Sequence, residues 1–161
     1  MHPKLTLYSE HSLSTVSLVG GSGDDVERIK DLIRNYHLEG KVILAGYIPD
    51  EKVVDYYNLC DVFVMPSKGE GFGIVFLEAL ACGKPVIAGN KDGSIDAVLG
   101  GDVGILIDPD NLSAIKQAII NVLKRNCEPR LLDKGYLRKR ILNEFGFQKF
   151  KERLTTVLSK I

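Results

Sequence analysis

Short apolar runs alternate along the chain with longer segments in which apolar residues recur every three or four positions. The runs have the length and β-branched composition of strands, and they lie at residues 15–19, 41–45, 61–65, 85–88 and 104–107. The segments with a helical period lie at residues 25–36, 51–59, 74–82, 95–99 and 112–124. This alternation predicts an α/β fold, a Rossmann-like doubly wound parallel sheet with helices on both faces.

The two ends of the chain depart from this alternation. Residues 1–14 form an atypical start, since residues 1–13 show no clean period. After Pro129 the chain is predicted to be helical, with Arg138, Lys139 and Arg140 on a solvated face. A last amphipathic helix is predicted within residues 145–161. No stretch marks a linker, so we expect a single domain over residues 1–161.

The composition of the chain argues against several classes of function. Lys plus Arg and Asp plus Glu both total 21, so no basic field favours nucleic acid as a partner. No apolar stretch approaches the length of a transmembrane segment, and the start lacks a secretory apolar core, which predicts a cytoplasmic protein. The three cysteines, Cys60, Cys82 and Cys127, are predicted to be reduced thiols rather than a disulfide or a zinc site.

Two short motifs suggest ligands but have simpler interpretations. Gly21 and Gly23 match the first two positions of a dinucleotide-binding fingerprint, but a bulky valine takes the third, so a tight strand-to-helix turn is favoured. Asp108 and Asp110 have a spacing that can hold a divalent cation. The proline between them and the following Asn111 favour a turn and a helix N-cap instead, so no metal site is expected.

The stretch at residues 66–85, PSKGEGFGIVFLEALACGKP, has the strongest chemical pattern. A glycine turn, Gly71-Phe72-Gly73, leads straight into the helix predicted at residues 74–82. The first backbone N–H groups of such a helix are unpaired and lie at the positive end of its dipole, which suits an anion. Glu70 stands just outside the helix opening and Glu78 about one turn inside it. The two carboxylates can therefore accept hydrogen bonds from sugar hydroxyls on either side of a diphosphate.

The run at residues 70–94, EGFGIVFLEALACGKPVIAGNKDGS, resembles the donor-sugar motif of the group 1 retaining glycosyltransferases with the GT-B fold. The likeness extends from about Val16 to the last helix. It implies the carboxyl-terminal, donor-binding half of such an enzyme, which transfers a hexose from a UDP or GDP sugar to a glycan, lipid or other acceptor. No cofactor and no metal is needed in that scheme. The alternatives are a nucleotide-sugar-binding module that needs a separate acceptor-binding chain, and a fragment of a GT-B sugar-nucleotide epimerase.

The resemblance also implies roles for particular residues. Glu70 is expected to be the catalytic residue, which faces hydroxyls of the transferred sugar and positions that sugar rather than attacking it. Glu78 is expected to bind the ribose diol, and the main chain at Ile48 is expected to hold the nucleotide base. The backbone expected to meet the sugar and the diphosphate is that of Gly71, Phe72, Gly73, Ile74 and Val75.

The chain departs from the family pattern at its start and in one loop. Family members carry an Arg and a Lys before the first strand seen here, and nothing in residues 1–14 matches them. An amino-terminal domain that binds the acceptor is expected to be missing. The helix at residues 145–161 is of the kind that packs on that domain, or else it caps its own sheet. Asp96 stands where the family more often has Glu. We therefore expect the isolated chain to be inactive or nearly so.

Overall fold

A computed structural model describes residues 5–10, 15–21 and 23–160, with side chains from residue 16 onward. Its strands are β1 (Leu5–Glu10), β2 (Thr15–Gly20), β3 (Val42–Gly46), β4 (Val62–Met65), β5 (Val86–Gly89) and β6 (Ile105–Ile107). Its α-helices are α1 (Val26–Asn35), α2 (Asp50–Leu59), α3 (Ile74–Ala81), α4 (Ser94–Ala97), α5 (Leu112–Leu123), α6 (Lys134–Phe145) and α7 (Phe147–Leu158). Short 3-10 helices lie at Leu99–Gly101 and Pro129–Leu132.

The strands form one sheet in the order β3-β2-β1-β4-β5-β6. The pairs β2 with β3, β4 with β5 and β5 with β6 are parallel, as the alternation of strands and helices predicts. Strand β1 is antiparallel to both β2 and β4, so β2 and β4 run in the same direction. The carboxyl ends of the five predicted strands therefore meet at one edge of the sheet, where ligands bind in folds of this kind.

Strand β1 was not expected from the sequence, and it makes the sheet mixed rather than wholly parallel. It lies within the atypical start, whose other residues, 1–4 and 11–14, fall outside the described part. Only four residues separate Glu10 from Thr15. A parallel connection needs a dozen residues or more, so a strand this close to β2 pairs with it in the antiparallel sense.

The core lies on both faces of the sheet, which confirms the doubly wound arrangement. On one face Phe63 of β4 stacks edge-to-face with Tyr57 of α2 and with Phe76 of α3, at 5.7 Å between ring centroids in each pair. The cluster on the other face contains Val62, Val64, Ile87, Ile107, Ala118 and Val122, the last two from α5. The aromatic stack holds α2 and α3 side by side on one face of the sheet.

Helix α6 is less solvated than its basic sequence suggests. Arg138 donates a hydrogen bond to the carbonyl oxygen of Ala81, 2.6 Å away, at the end of α3. Arg140 donates to Asp102, 2.9 Å away, and the Tyr136 hydroxyl donates to the same carboxylate. The predicted solvated face is therefore confirmed for Arg138 and Lys139, which are exposed, whereas Arg140 is half-buried against Asp102.

Two loops at the carboxyl edge approach each other backbone to backbone. The amide of Gly93, after β5, donates to the carbonyl oxygen of Glu70, after β4, over 3.0 Å. A Cβ atom at Gly93 would overlap the carbonyl oxygen of Gly71, and a Cβ atom at Gly89 would overlap that of Ser67. Glycine is therefore required at both positions by the closeness of the loops. This packing holds the start of the glycine turn in one place.

A buried lysine joins the end of α2 to the turn that enters β5. Lys84 is 7% exposed, and its ammonium donates to the carbonyl oxygens of Asn58 and Cys60 at 3.0 and 2.9 Å. These carbonyl groups lie at a helix carboxyl terminus, where a cation is favourable. Lys84, part of the GKPV run, is therefore a structural residue.

We expect Lys84→Met to lower the free energy of unfolding by about 2 to 3 kcal/mol, because two carbonyl groups lose their charged donor. Urea denaturation measures the change, with Lys139→Met as the exposed control, which is expected to stay within about 0.5 kcal/mol of the wild type. Equal stability of the two variants would contradict the structural role.

We expect Gly93→Ala to destabilise the fold by about 1 to 3 kcal/mol, because the added methyl group meets backbone that cannot rotate away. The matched control is Gly69→Ala in the neighbouring loop, where a Cβ atom meets nothing within 4 Å. Denaturation and amide exchange at residues 70–73 measure both variants. A Gly93→Ala protein as stable as Gly69→Ala would show that the two loops do not pack this closely.

Candidate functional site

A pocket of about 840 Å³ opens at the carboxyl edge of the sheet, between the ends of β2 and β3 and the helices α2 and α3. This volume lies within the range of pockets that hold small ligands and cofactors. The lining residues that matter here are Gly20, Gly21, Ile48, Val75, Glu78 and Arg138. The pocket therefore brings together three of the residues singled out in the sequence: Ile48, Val75 and Glu78.

Helix α3 contributes Val75 and Glu78 to this pocket, and its N-terminus beside the pocket has no side-chain cap among the described residues. Its N-cap is Gly73, in the left-handed conformation at φ 88°, and no side chain of the described residues hydrogen-bonds there. A Cβ atom at Gly73 would overlap the Phe76 ring, so both the backbone angle and the packing require glycine. The amides of Ile74 and Val75 are the first of the helix and lie at the positive end of its dipole. This opening can bind an anion.

The Glu78 carboxylate is oriented by a buried tyrosine. The Tyr57 hydroxyl lies 2.9 Å from Glu78 Oε2, to which it donates, and 3.2 Å from the carbonyl oxygen of Val75. Tyr57 is 1% exposed, and burial followed by the nearby Glu78 charge raises its pKa well above the ordinary value. The hydroxyl therefore stays protonated and holds one carboxylate oxygen, while the exposed side of Glu78 faces the pocket.

Ile48 lies two residues after the end of β3 and lines the pocket beside Tyr47. The next residue, Pro49, has an extended backbone and stands at the N-cap of α2. The chain has therefore left the sheet before Ile48, in the loop that the proline predicts. Ile48 lines the pocket, and its role in holding a base stays a prediction.

The other residues of the glycine turn lie outside the pocket lining. Glu70 stands beside the N-cap, since a Cβ atom at Gly73 would lie 3.1 Å from Glu70 Cγ. Among the described residues no group hydrogen-bonds the Glu70 carboxylate, which leaves it free to accept from a ligand. Ile74 is 66% exposed, and Phe72 packs away from the pocket against Phe145. The structure thus places Glu70 beside the N-cap of α3 and Glu78 in the pocket lining.

Asp92 is a site residue that the sequence analysis missed. Its Oδ2 accepts from the amide of Glu70 at 2.9 Å and from the Ser67 hydroxyl, and its Oδ1 accepts from the amide of Ser94 at 3.0 Å. Burial acts to raise the pKa of Asp92, but these hydrogen bonds outweigh burial and lower it. The ionised Asp92 therefore ties the loop after β5 to Glu70, whereas Asp96, the family departure, is exposed.

The pair Asp108 and Asp110 forms the predicted turn. Asp108 Oδ1 accepts from the amide of Asp110 at 2.9 Å, and the Asn111 side chain caps α5 by accepting from the amide of Ala114. Lys91 lies 2.6 and 2.8 Å from the two carboxylates. A hydrogen bond from Lys68 lowers the pKa of Asp110 to about 2. Across the described residues no three His, Cys, Asp or Glu side chains come together as a metal site requires.

Comparisons with known proteins identify the family of the chain. The family model for glycosyl transferases group 1 matches residues 9–136. The chain is 33% identical over 117 residues to a GDP-mannose-dependent alpha-(1-6)-phosphatidylinositol monomannoside mannosyltransferase of Mycolicibacterium smegmatis, which covers 68% of this chain and 30% of that protein. It is 38% identical over 104 residues to O-antigen chain mannosyltransferase B of Escherichia coli, covering 65% and 26%. The chain therefore spans less than a third of the length of these two relatives.

Solved structures share the fold. Anabaena HepE in complex with UDP has a TM-score of 0.75 at 24% identity, with 91% of this chain and 41% of that chain covered. Sucrose-phosphate synthase from Thermosynechococcus elongatus has a TM-score of 0.74 at 29% identity, with 89% and 37% covered. None of the described helices is long and apolar enough to cross a membrane. Since the family match covers most of its length, the chain belongs to the group 1 glycosyltransferases, and its α/β domain corresponds to part of their GT-B fold.

Proposed function

We propose that this chain is the carboxyl-terminal, donor-binding half of a retaining glycosyltransferase, which transfers a hexose from a nucleoside diphosphate sugar to an acceptor bound by a further domain. One observation carries the proposal: an uncapped helix N-terminus lies beside a nucleotide-sized pocket, with Glu70 next to the N-cap and Glu78 in the pocket lining. An amide-lined opening between two carboxylates suits a ligand that has a diphosphate between two sets of sugar hydroxyls.

The pocket itself is the place we propose for the nucleoside. The base would contact the main chain at Ile48, and the ribose diol would donate hydrogen bonds to Glu78. Tyr57 holds Oε2 of that carboxylate by a 2.9 Å hydrogen bond, so the carboxylate is oriented before the ligand arrives. Orientation in advance lowers the ordering cost of binding.

The diphosphate and the transferred sugar lie, in this proposal, over the glycine turn. Negative charge grows on the leaving diphosphate during transfer, and the amides of Ile74 and Val75 stabilise it together with the α3 dipole. Glu70 accepts from hydroxyls of the sugar and positions its anomeric carbon. The protein groups named here supply the electrostatic stabilisation, and the scheme assigns no step to a metal.

The names of similar proteins support a nucleoside diphosphate sugar as the donor. One relative is described as GDP-mannose-dependent, and HepE has been solved with UDP and with UDP-glucose. These names differ in both base and sugar, so both nucleotide types are needed as probes. The cytoplasmic location stays a prediction from the sequence.

A nucleotide-sugar-binding subunit that works with a separate acceptor-binding chain is the second candidate. The observation in its favour is that the pocket and the N-terminus of α3 are both formed by residues of this chain. Such a subunit would bind donors through the same pocket. A fragment of a sugar-nucleotide epimerase of the same fold is the third candidate. Such an enzyme would isomerise or hydrolyse the sugar nucleotide and would not transfer its sugar to an acceptor.

We expect Glu78→Gln to raise the Kd of the preferred nucleoside diphosphate about tenfold, because a charged acceptor for the ribose diol is lost. Titration calorimetry with UDP, GDP and ADP on the wild type identifies the preferred base first. Tyr57→Phe is expected to have a smaller effect of about threefold, since it frees Glu78 without removing it.

The matched control is Glu51→Gln, another exposed acid near the start of a helix, which lies outside the pocket lining among the described residues. Its affinity is expected to equal that of the wild type. Equal affinity of Glu78→Gln and the wild type would remove Glu78 from the ribose role. Absence of binding for all three nucleotides would overturn the donor-binding proposal as a whole.

We expect the 161-residue polypeptide alone to transfer no sugar, because the acceptor is proposed to bind a further domain and residues 1–14 do not match the cationic loop of the family. Mass spectrometry after incubation with UDP-glucose or GDP-mannose and a mixed set of acceptors measures this. Any glycosylated product would contradict the expected inactivity, and an inverted anomeric configuration of that product, assigned by NMR, would also contradict the retaining mechanism.

A further inference from the structure

The glycine turn that opens α3 is in contact with a helix more than seventy residues further along the chain. The ring of Phe72 packs edge-to-face on the ring of Phe145, with 5.6 Å between centroids and 72° between planes. Both rings are partly buried against the main core cluster. Phe145 is the last residue of α6, so the turn rests on the end of that helix.

Helix α6 is held firmly against the sheet domain. Leu137 and Ile141 are buried in the core cluster, and Arg140 pairs with Asp102 over 2.9 Å. The hydrogen bond from Arg138 to the carbonyl oxygen of Ala81 ties the same helix to the far end of α3. Phe145 is therefore a fixed support, because the helix that presents it cannot shift without breaking these contacts.

The chain turns sharply after Phe145. Gly146 alone separates α6 from α7, and its amide donates to the carbonyl oxygen of Leu142 over 3.0 Å. A Cβ atom at Gly146 would overlap that carbonyl oxygen, so the corner requires glycine. An ion pair between Glu144 of α6 and Arg153 of α7 also joins the two helices. The position of the Phe145 ring is thus defined from both helices.

The glycine turn is also held at its other end. The Glu70 amide donates to Asp92 over 2.9 Å, and the Glu70 carbonyl oxygen accepts from Gly93 over 3.0 Å. The loop after β5 therefore fixes the entry of the turn, and Phe145 supports its middle at Phe72. The amides that follow, at Gly73 to Val75, point in a direction that depends on both supports.

We propose that Phe145 is a positioning residue for the diphosphate: its ring fixes Phe72 and thereby aims the amides at the opening of α3. The inference rests on the proposed function, because it assigns the diphosphate to those amides. Phe145 does not line the pocket formed by the described residues, where Ile48 and Glu78 lie. Removal of the Phe145 ring is therefore expected to lower the affinity for the diphosphate and to leave the affinity for the nucleoside unchanged.

The test compares a nucleoside diphosphate with its nucleoside, UDP with uridine or GDP with guanosine, on the wild type and on Phe145→Ala. We expect the Kd of the diphosphate to rise about tenfold, the range set by an aromatic pair, while the Kd of the nucleoside stays within about twofold. Titration calorimetry measures the diphosphate, and ligand-observed NMR measures the weaker nucleoside. The matched control is Phe147→Ala, two positions further on and 74% exposed, which is expected to change neither.

Conservative variants separate positioning from general packing. Phe145→Tyr keeps the ring and is expected to keep the affinity for the diphosphate. Phe145→Leu keeps apolar volume without a ring edge, and it replaces Phe145→Ala if that variant does not fold. Phe145→Leu is expected to lose affinity for the diphosphate and not for the nucleoside, by a smaller factor than Phe145→Ala. Amide exchange at Phe76, whose amide donates to the carbonyl oxygen of Gly73 over 3.0 Å, is expected to be faster in both shortened variants.

The outcomes distinguish this inference from the function on which it rests. A wild type that binds neither the diphosphates nor the nucleosides would overturn both. A wild type that binds them, with equal losses for the diphosphate and the nucleoside in Phe145→Ala, would overturn the inference alone. The same holds if Phe145→Ala and Phe147→Ala both bind as the wild type does.

Discussion

The site depends on one constraint, the entry of the chain into α3 through Gly73 in a left-handed conformation. The Phe76 ring occupies the space that a side chain at Gly73 would need, so neither the backbone angle nor the packing tolerates another residue. Without a cap from the described side chains, the first amides of α3 remain available to a ligand. Their combined dipole makes the opening favourable for phosphate before any charged side chain is considered.

Distant elements converge to support this opening. Tyr57 of α2 holds the carboxylate of Glu78, Asp92 after β5 holds the amide of Glu70, and Phe145 at the end of α6 supports Phe72. Each of these groups acts on a part of the turn or helix that the proposal assigns to the donor. A preorganised set of dipoles of this kind is what stabilises charge that develops on a leaving group. These contacts from the rest of the fold therefore restrict the conformations open to the glycine turn before α3.

The sequence predicted the parts of this structure that depend on local pattern. Five strands, the glycine turn before α3 and the Asn111 cap of α5 follow from periodicity and turn chemistry. Strand β1 was missed because backbone pairing forms it without a clear side-chain period. The hydrogen bonds of Tyr57 and Asp92 span about twenty residues or more, and nothing local marks such partners.

The most direct test of the account is a crystal structure of the protein with the sugar nucleotide that it binds best. The account predicts a diphosphate oxygen within about 3.2 Å of the amide nitrogen of Ile74 or Val75, with the ribose hydroxyls on Glu78. A diphosphate bound elsewhere, or a Glu78 carboxylate turned away from the ribose, would contradict it.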